Sequence, residues 1–181
     1  MKKKRILKLQ DIQGYIAHKP IVICRKERYY IKTVNPMLET VELIPVETDK
    51  GLLSCHEVIK NIKPLLRPLS DIYREITHED KIEIPIVELA KIEFPEEKWE
   101  FHSKESKFYS VLKSPCAMSD AFLCVRYCTK RHCIIVSSPD SYGNPVTKQY
   151  QILDYMHSRF IDYRNLINTG MAFDINSYKQ L

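Results

Sequence analysis

The chain has 181 residues, of which 44% are hydrophobic and 28% charged, with a formal net charge of +5. That composition is ordinary for a globular protein and suits one domain spanning 1–181, and no apolar run approaches the ~20 residues that cross a bilayer. Only four glycines are present, and Gly14, Gly51, Gly143 and Gly170 are too widely spaced for a phosphate-cradling loop or a dinucleotide fingerprint, which excludes nucleotide chemistry by those routes.

The basic start Lys2-Lys3-Lys4-Arg5 is followed by Ile6 to Asp11, a stretch too short and polar for a signal-peptide core, so the expected location is cytoplasmic. Leu7, Ile12, Tyr15 and Ile16 predict a short helix over Leu7–Ala17, which Gly14 weakens by up to about 1 kcal/mol relative to alanine. Pro20–Arg25, Arg28–Val34 and Thr40–Val46 are rich in β-branched and aromatic residues. Punctuated by Lys26-Glu27 and Asn35-Pro36, they predict a three-stranded meander. In the second strand Tyr29, Ile31 and Thr33 alternate with Tyr30, Lys32 and Val34, as in a sheet covered on one face.

A turn is expected from Asp49-Lys50-Gly51. Pro64 and Pro68 then make Lys63–Ser70 extended rather than helical. Ser70 or Asp71 can cap a short helix through Ile76, with His78-Glu79-Asp80 a solvated turn, and Pro85 can open another helix through Ile92. Glu93 to Glu100 reads as an exposed acidic connection anchored by Trp99 and Phe101. Phe122–Tyr127 and Cys133–Ser137 form a strand pair linked by Thr129-Lys130-Arg131, and Ser138–Gly143 is a loop. Asn144-Pro145 opens an amphipathic helix whose buried face is Val146, Tyr150, Leu153, Met156 and Phe160. A second, shorter helix follows over Asp162–Ala172, capped by Asp162, docked by Leu166, Ile167 and Met171, and ended by Gly170 in the left-handed region. The expected fold class is α+β: a mostly antiparallel sheet, short helices and a two-helix C-terminal end.

Asp162-Tyr163-Arg164-x-Leu166-Ile167-x-x-Gly170-Met171-Ala172 resembles the tail of a large group of uncharacterised proteins encoded by phages and prophages of gut bacteria. Ile62-Lys63-Pro64-Leu65-Leu66-Arg67-Pro68-Leu69-Ser70-Asp71 resembles the mid-chain Lys-Pro-x-Leu-Arg-Pro-Leu/Met-Ser element of the same group, in the same order. The chain departs from that pattern at Asn165, where the group carries glycine, and at Asn168-Thr169, where a charged pair is commoner. The resemblance implies a phage-type origin and a cytoplasmic life in the host cell. It implies no activity and transfers no functional residue.

Candidate sites come from charge and from cysteine. Residues 1–35 hold ten Lys/Arg against two Asp/Glu, residues 36–100 eight against fifteen, and residues 101–181 ten against six. The basic end offers a nucleic-acid surface of Lys2, Lys3, Lys4, Arg5, Lys8, Arg25, Lys26 and Arg28, with Tyr29 and Tyr30 for stacking. An ordinary solvated face explains the same charges. Six cysteines are present, and Cys116, Cys124, Cys128, His132 and Cys133 are the candidate metal ligands. Their spacings share one cysteine and make no pair of knuckles, so packing is the simpler role and no metal or other cofactor is expected. Strand alternation is expected to put at least one of these cysteines on a face the others cannot reach, and structural disulfides are not expected in a reducing cytosol.

The histidines at 18, 56, 78, 102, 132 and 157 form no metalloprotease motif, and no catalytic residue is assigned. Arg67 and Arg164 could grip a phosphate or carboxylate, or tie a helix end by pairing with Asp71 or Asp162; the structural role is preferred. The expectation is a non-enzymatic binding protein with a macromolecular partner, protein before nucleic acid and no membrane, with an enzyme of unrecognised site as the lesser alternative.

Overall fold

The structure, a computed structural model, describes residues 5–47, 51–93, 95, 99–102, 109–113, 122–128, 133–137, 144–145 and 148–178. In chain order its elements are α1 (Leu9–Ile16), β1 (Ile21–Cys24), β2 (Glu27–Asn35), β3 (Thr40–Pro45), β4 (Cys55–Val58), β5 (Lys63–Pro68), β6 (Ile76–His78), β7 (Lys81–Glu83) and α2 (Pro85–Glu93). There follow β8 (Trp99–His102), β9 (Tyr109–Lys113), β10 (Phe122–Cys128), β11 (Cys133–Ser137), β12 (Asn144–Pro145), α3 (Gln149–Ser158), β13 (Ile161–Asp162) and β14 (Phe173–Asp174). The class is α+β with mostly antiparallel sheet. The chain divides into two compact units, one of residues 1–69 with 157–181 and one of residues 70–156.

The first unit carries a seven-stranded sheet in the order β13-β5-β1-β2-β3-β4, with β14 also paired to β5. The predicted meander is β1 to β3. Its first turn, Arg25-Lys26, has φ of 52° and 72°, the two left-handed positions of a type I′ hairpin whose twist matches the strands. The next connection is fixed by Asn35, whose Oδ1 accepts the N–H groups of Met37 and Leu38.

Alternation in β2 holds for buried Tyr29 and Ile31 but breaks at a bulge between Ile31 and Thr33. The extra residue turns Thr33 outward, where its hydroxyl donates to Glu42, and brings Val34 opposite buried Val41. A 3-10 turn at Ile59–Asn61 leads from β4 into β5, which returns to pair with β1. The sheet curls strongly. Three strand spacings of about 4.8 Å separate β1 from β4 in a flat sheet, yet Cys24 Sγ lies 3.8 Å from the Glu57 carboxylate.

The C-terminal segment of this unit departs from expectation. Asp162–Ala172 is not a helix: Ile161-Asp162 is a strand parallel to β5. Buried Asp162 accepts the N–H groups of Leu166 and Ile167 at 2.8 and 2.7 Å. Asn165 sits at φ 62°, in the left-handed region that asparagine and glycine tolerate best. One helical turn then closes with Met171 N–H on Leu166 O and Gly170 N–H on Ile167 O, with Gly170 at φ 75° as expected, which is the Schellman arrangement.

The second unit holds a five-stranded antiparallel sheet, β12-β11-β10-β9-β8, and the β6–β7 hairpin. Ile76 begins that hairpin, so the helix expected through Ile76 shortens to a 3-10 turn at Leu69–Tyr73. Glu79 and Asp80 form the hairpin turn at φ 48° and 62°. Helix α2 starts at Pro85 as predicted and buries Ile86, Leu89 and Ala90. Asn144-Pro145 does not cap a helix; it pairs with Ile135 and Val136 as an edge strand, where proline's missing N–H is tolerated. Helix α3 begins four residues later and buries Ile152 and Met156, leaving predicted face residue Tyr150 81% exposed. Its real start is set by Lys148, whose backbone N–H donates to the Glu93 carboxylate at 3.0 Å. The Lys148 ammonium in turn donates to Ile92 O at 2.8 Å, at the end of α2, so the two helix termini exchange complementary charges. The loop expected at 138–143 and the link 129–131 lie outside the described residues, as do residues 94 and 96–98 of the acidic connection.

Candidate binding groove

In the first unit a groove of about 530 Å³ lies where the β1–β2 turn meets β5 and β14. Its cations are Arg25, Lys26 and Lys63, its aromatic residues Phe173 and Tyr178, and its remaining lining Ile23, Asn61, Asp174 and Ser177. The sequence brings these together through sheet pairing. Ile23 lies opposite Lys63 across β1 and β5, and Phe173 opposite Leu65 across β14 and β5. A turn after β14, with Ser177 and Tyr178 N–H groups on Asp174 O, folds Tyr178 back so that its ring centroid lies 5.3 Å from that of Phe173. Lys63 Nζ stands 4.7 Å above the Phe173 ring, a cation–π contact that holds both.

The cationic rim is positioned by Glu57. Its carboxylate accepts from Arg25 at 3.1 Å, Asn61 Nδ2 at 2.8 Å and Val58 N–H at 2.9 Å. Asn61 and the Val58 N–H, followed by Arg25, hold that carboxyl below the usual range, against its partial burial. Burial and the neighbouring Glu57 charge push the Cys24 thiol up to about 11, which leaves it protonated and inert as a nucleophile. Lys26 is exposed at the tip of the turn. The groove can therefore seat an apolar or aromatic group against Phe173 and Tyr178 while cations meet acidic groups beside it.

The other predicted residues disperse. Lys2, Lys3 and Lys4 lie outside the described residues, Lys8 is exposed, and Arg5 is taken up by buried Asp11. Arg28 pairs with Glu47 at 2.6 Å. Tyr29 faces inward at 6% exposure and Tyr30 outward beside Ile44, so the two form no joint stacking surface. Among the described members of the expected nucleic-acid set, Arg25 and Lys26 line the groove. Arg67 donates its backbone N–H to Phe160 O at 2.7 Å. Arg164 pairs with no acid among its described contacts; its guanidinium donates to Gln10 O at 2.6 Å and to the Tyr163 hydroxyl at 3.0 Å, tying the C-terminal turn to α1.

Cys116 and His132 lie outside the described residues. The register of β10 and β11 corrects the expectation for the others: Cys124 opposes Ser137 and Cys128 opposes Cys133, so all three belong to one face of the ladder. Cys124 is nevertheless ~13 Å of strand away from Cys128. Among the described residues no group of three His, Cys, Asp or Glu side chains could hold a metal ion.

A smaller cavity in the second unit, about 350 Å³, is lined by Glu75, Glu83, Glu88 and Trp99 with Ile82, Ile84 and Val87. Buried Glu83 there accepts the Tyr155 hydroxyl at 2.8 Å and lies 3.5 Å from Lys81 Nζ, so its carboxylate is held in structural contacts. Sequence reasoning missed Lys63, Phe173 and Tyr178 as site residues. They carry no periodic signal, and only the pairing of β14 with β5 unites them. No family model matches the chain, and neither a curated protein nor a solved structure matches it. No helix among the described residues is long and apolar enough to cross a membrane.

Proposed function

We propose that this is a non-enzymatic binding protein of the phage or prophage accessory type, which captures a partner protein in the host cytoplasm through an acidic segment laid into the Lys26–Lys63–Phe173–Tyr178 groove. The observation that carries this reading is the union of three cations with an aromatic pair in one open groove. The charge of the unit supports it: the first unit holds seventeen Lys/Arg against nine Asp/Glu, the second eleven against fourteen. An acidic segment gains from the cations in association rate and specificity, and an apolar side chain within it gains from burial on the rings. The phage origin rests on the two sequence elements alone.

Nucleic acid is the second reading, favoured by the same cations beside aromatic rings. Asp174 in the lining weighs toward a peptide, which can set a neutral residue against it where every nucleotide brings a phosphate. Titration of the whole chain with Asp/Glu-rich peptides containing one aromatic residue, alongside a single-stranded oligonucleotide, separates the two. We expect peptide binding that weakens with salt and drops at least about tenfold in Lys26→Glu/Lys63→Glu, the loss of about 1.4 kcal/mol. Oligonucleotide binding alone, or peptide binding indifferent to the double charge reversal, would overturn the proposal.

A further inference from the structure

We propose that Cys128 and Cys133 are a dithiol that closes to a disulfide across the β10–β11 hairpin, a reversible modification site separate from the groove. The two residues form the last pair of the antiparallel ladder, directly opposite each other, with residues 129–132 between them. Opposed residues in such a ladder have Cα atoms about 4.5 Å apart in a non-hydrogen-bonded pair and about 5.5 Å apart in a hydrogen-bonded one. A disulfide requires about 4.4–6.8 Å. Either kind of pair falls inside that window, so the backbone register permits the bond.

The alternatives are poorer. Cys124 faces Ser137 in the register and is four residues from Cys128 along the strand, a distance of ~13 Å that no disulfide spans.

The oxidant the step requires is a hydroperoxide. One thiolate attacks the peroxide oxygen, breaking the O–O bond, to give a sulfenic acid and release the alcohol, or water from hydrogen peroxide. The second thiolate then attacks the sulfenic sulfur, forming the S–S bond and expelling hydroxide, which leaves as water once protonated. In sum two thiols and one hydroperoxide yield one disulfide, one alcohol and one water, and a small dithiol reverses the change by exchange.

The test uses the full chain, reduced, exposed to tert-butyl hydroperoxide, quenched with an alkylating reagent and mapped by mass spectrometry. We expect a peptide cross-linked between Cys128 and Cys133, reversed by dithiothreitol, that persists in Cys24→Ser and Cys124→Ser and is absent from Cys128→Ser and Cys133→Ser. Circular dichroism confirms that each serine variant is folded. Full alkylation of both residues after the oxidant is consumed would overturn the proposal. So would pairing of either residue with Cys116 or Cys124, or a co-purifying zinc ion that shields both.

Discussion

A Cβ built at Gly14 would stand 2.0 Å from Cε1 and 2.2 Å from Nε2 of His157. That ring is held edge-on to Tyr15 at 4.8 Å between centroids and hydrogen-bonded to the Tyr163 hydroxyl at 2.9 Å, while Tyr15 donates to Ile161 O at 2.7 Å. The ring has no easy retreat. Gly14→Ala is therefore expected to cost about 1–3 kcal/mol by overpacking, although alanine is the better helix former by about 1 kcal/mol. Adding His157→Ala to the same chain should make the Gly14 change nearly free, measured as urea midpoints around a double-mutant cycle. Asp162 supplies a prediction in pH. Burial raises its pKa against the opposing hydrogen bonds from Ile167 and Leu166. With the folded value above the unfolded one, its contribution to stability is complete below the unfolded pKa and is lost as pH rises through the folded pKa. Urea midpoints between the normal carboxylate range and neutrality should show that decline in the wild type and lack it in Asp162→Asn, whatever the constant offset from the lost acceptor. At the cysteines, Cys24 is 2% exposed with its raised pKa, and Cys55 is half-buried. Under native conditions at pH 8 we expect iodoacetamide to label Cys55 well before Cys24, because only about one Cys24 in a thousand is thiolate there.

Elements were legible in the sequence where the signal is local. The β1–β3 meander, α2 with Pro85 at its first position, and the β10–β11 pair all announce themselves through alternation or a breaker at the right place. Elements defined by distant partners were not legible. Strands β13 and β14 have two residues each and exist because β5, about a hundred positions earlier, offers them pairing; no periodicity can appear in two residues. Asn144-Pro145 has the chemistry of a helix start and also that of an edge strand, and the neighbouring β11 decides between them. The groove inherits this limit, since four of its nine lining residues come from β14 and the turn after it. The two hairpin turns make a separate prediction. Arg25-Lys26 and Glu79-Asp80 hold left-handed backbone without glycine or asparagine, at roughly 1–2 kcal/mol per residue. Replacing Glu79-Asp80 with Asn-Gly is expected to raise stability by about 1 kcal/mol or more, read as an increase in Tm. The same exchange at Arg25-Lys26 should also stabilise, yet abolish binding of the acidic peptides, because it removes two of the three groove cations.

At the scale of the molecule, the basic end and acidic middle of the sequence resolve into two compact units of opposite net charge. Each has its own buried residues: Ile12, Val22, Leu43 and Leu66 in the first, Ile72, Ile86, Leu89 and Ile152 in the second. Calorimetry should therefore resolve two unfolding transitions. We expect Gly14→Ala to lower only one and the Glu79-Asp80 exchange to raise only the other. A single transition moved by both changes would show that the units unfold as one.

The pairing of β5 with β13 and β14 also governs the order of events during synthesis. Residues 63–68 leave the ribosome long before 161–162 and 173–174, the two short strands that fill the edge of β5 opposite β1. The intervening segment 70–156 is contiguous and can collapse on its own schedule, while β5 waits with an edge unfilled. Closing so long a loop is entropically unfavourable and slow. Until it closes, β5 presents bare backbone donors and acceptors to any passing strand. The nascent chain is thus most vulnerable to aggregation late in its translation, and a chaperone that shields extended segments would act there.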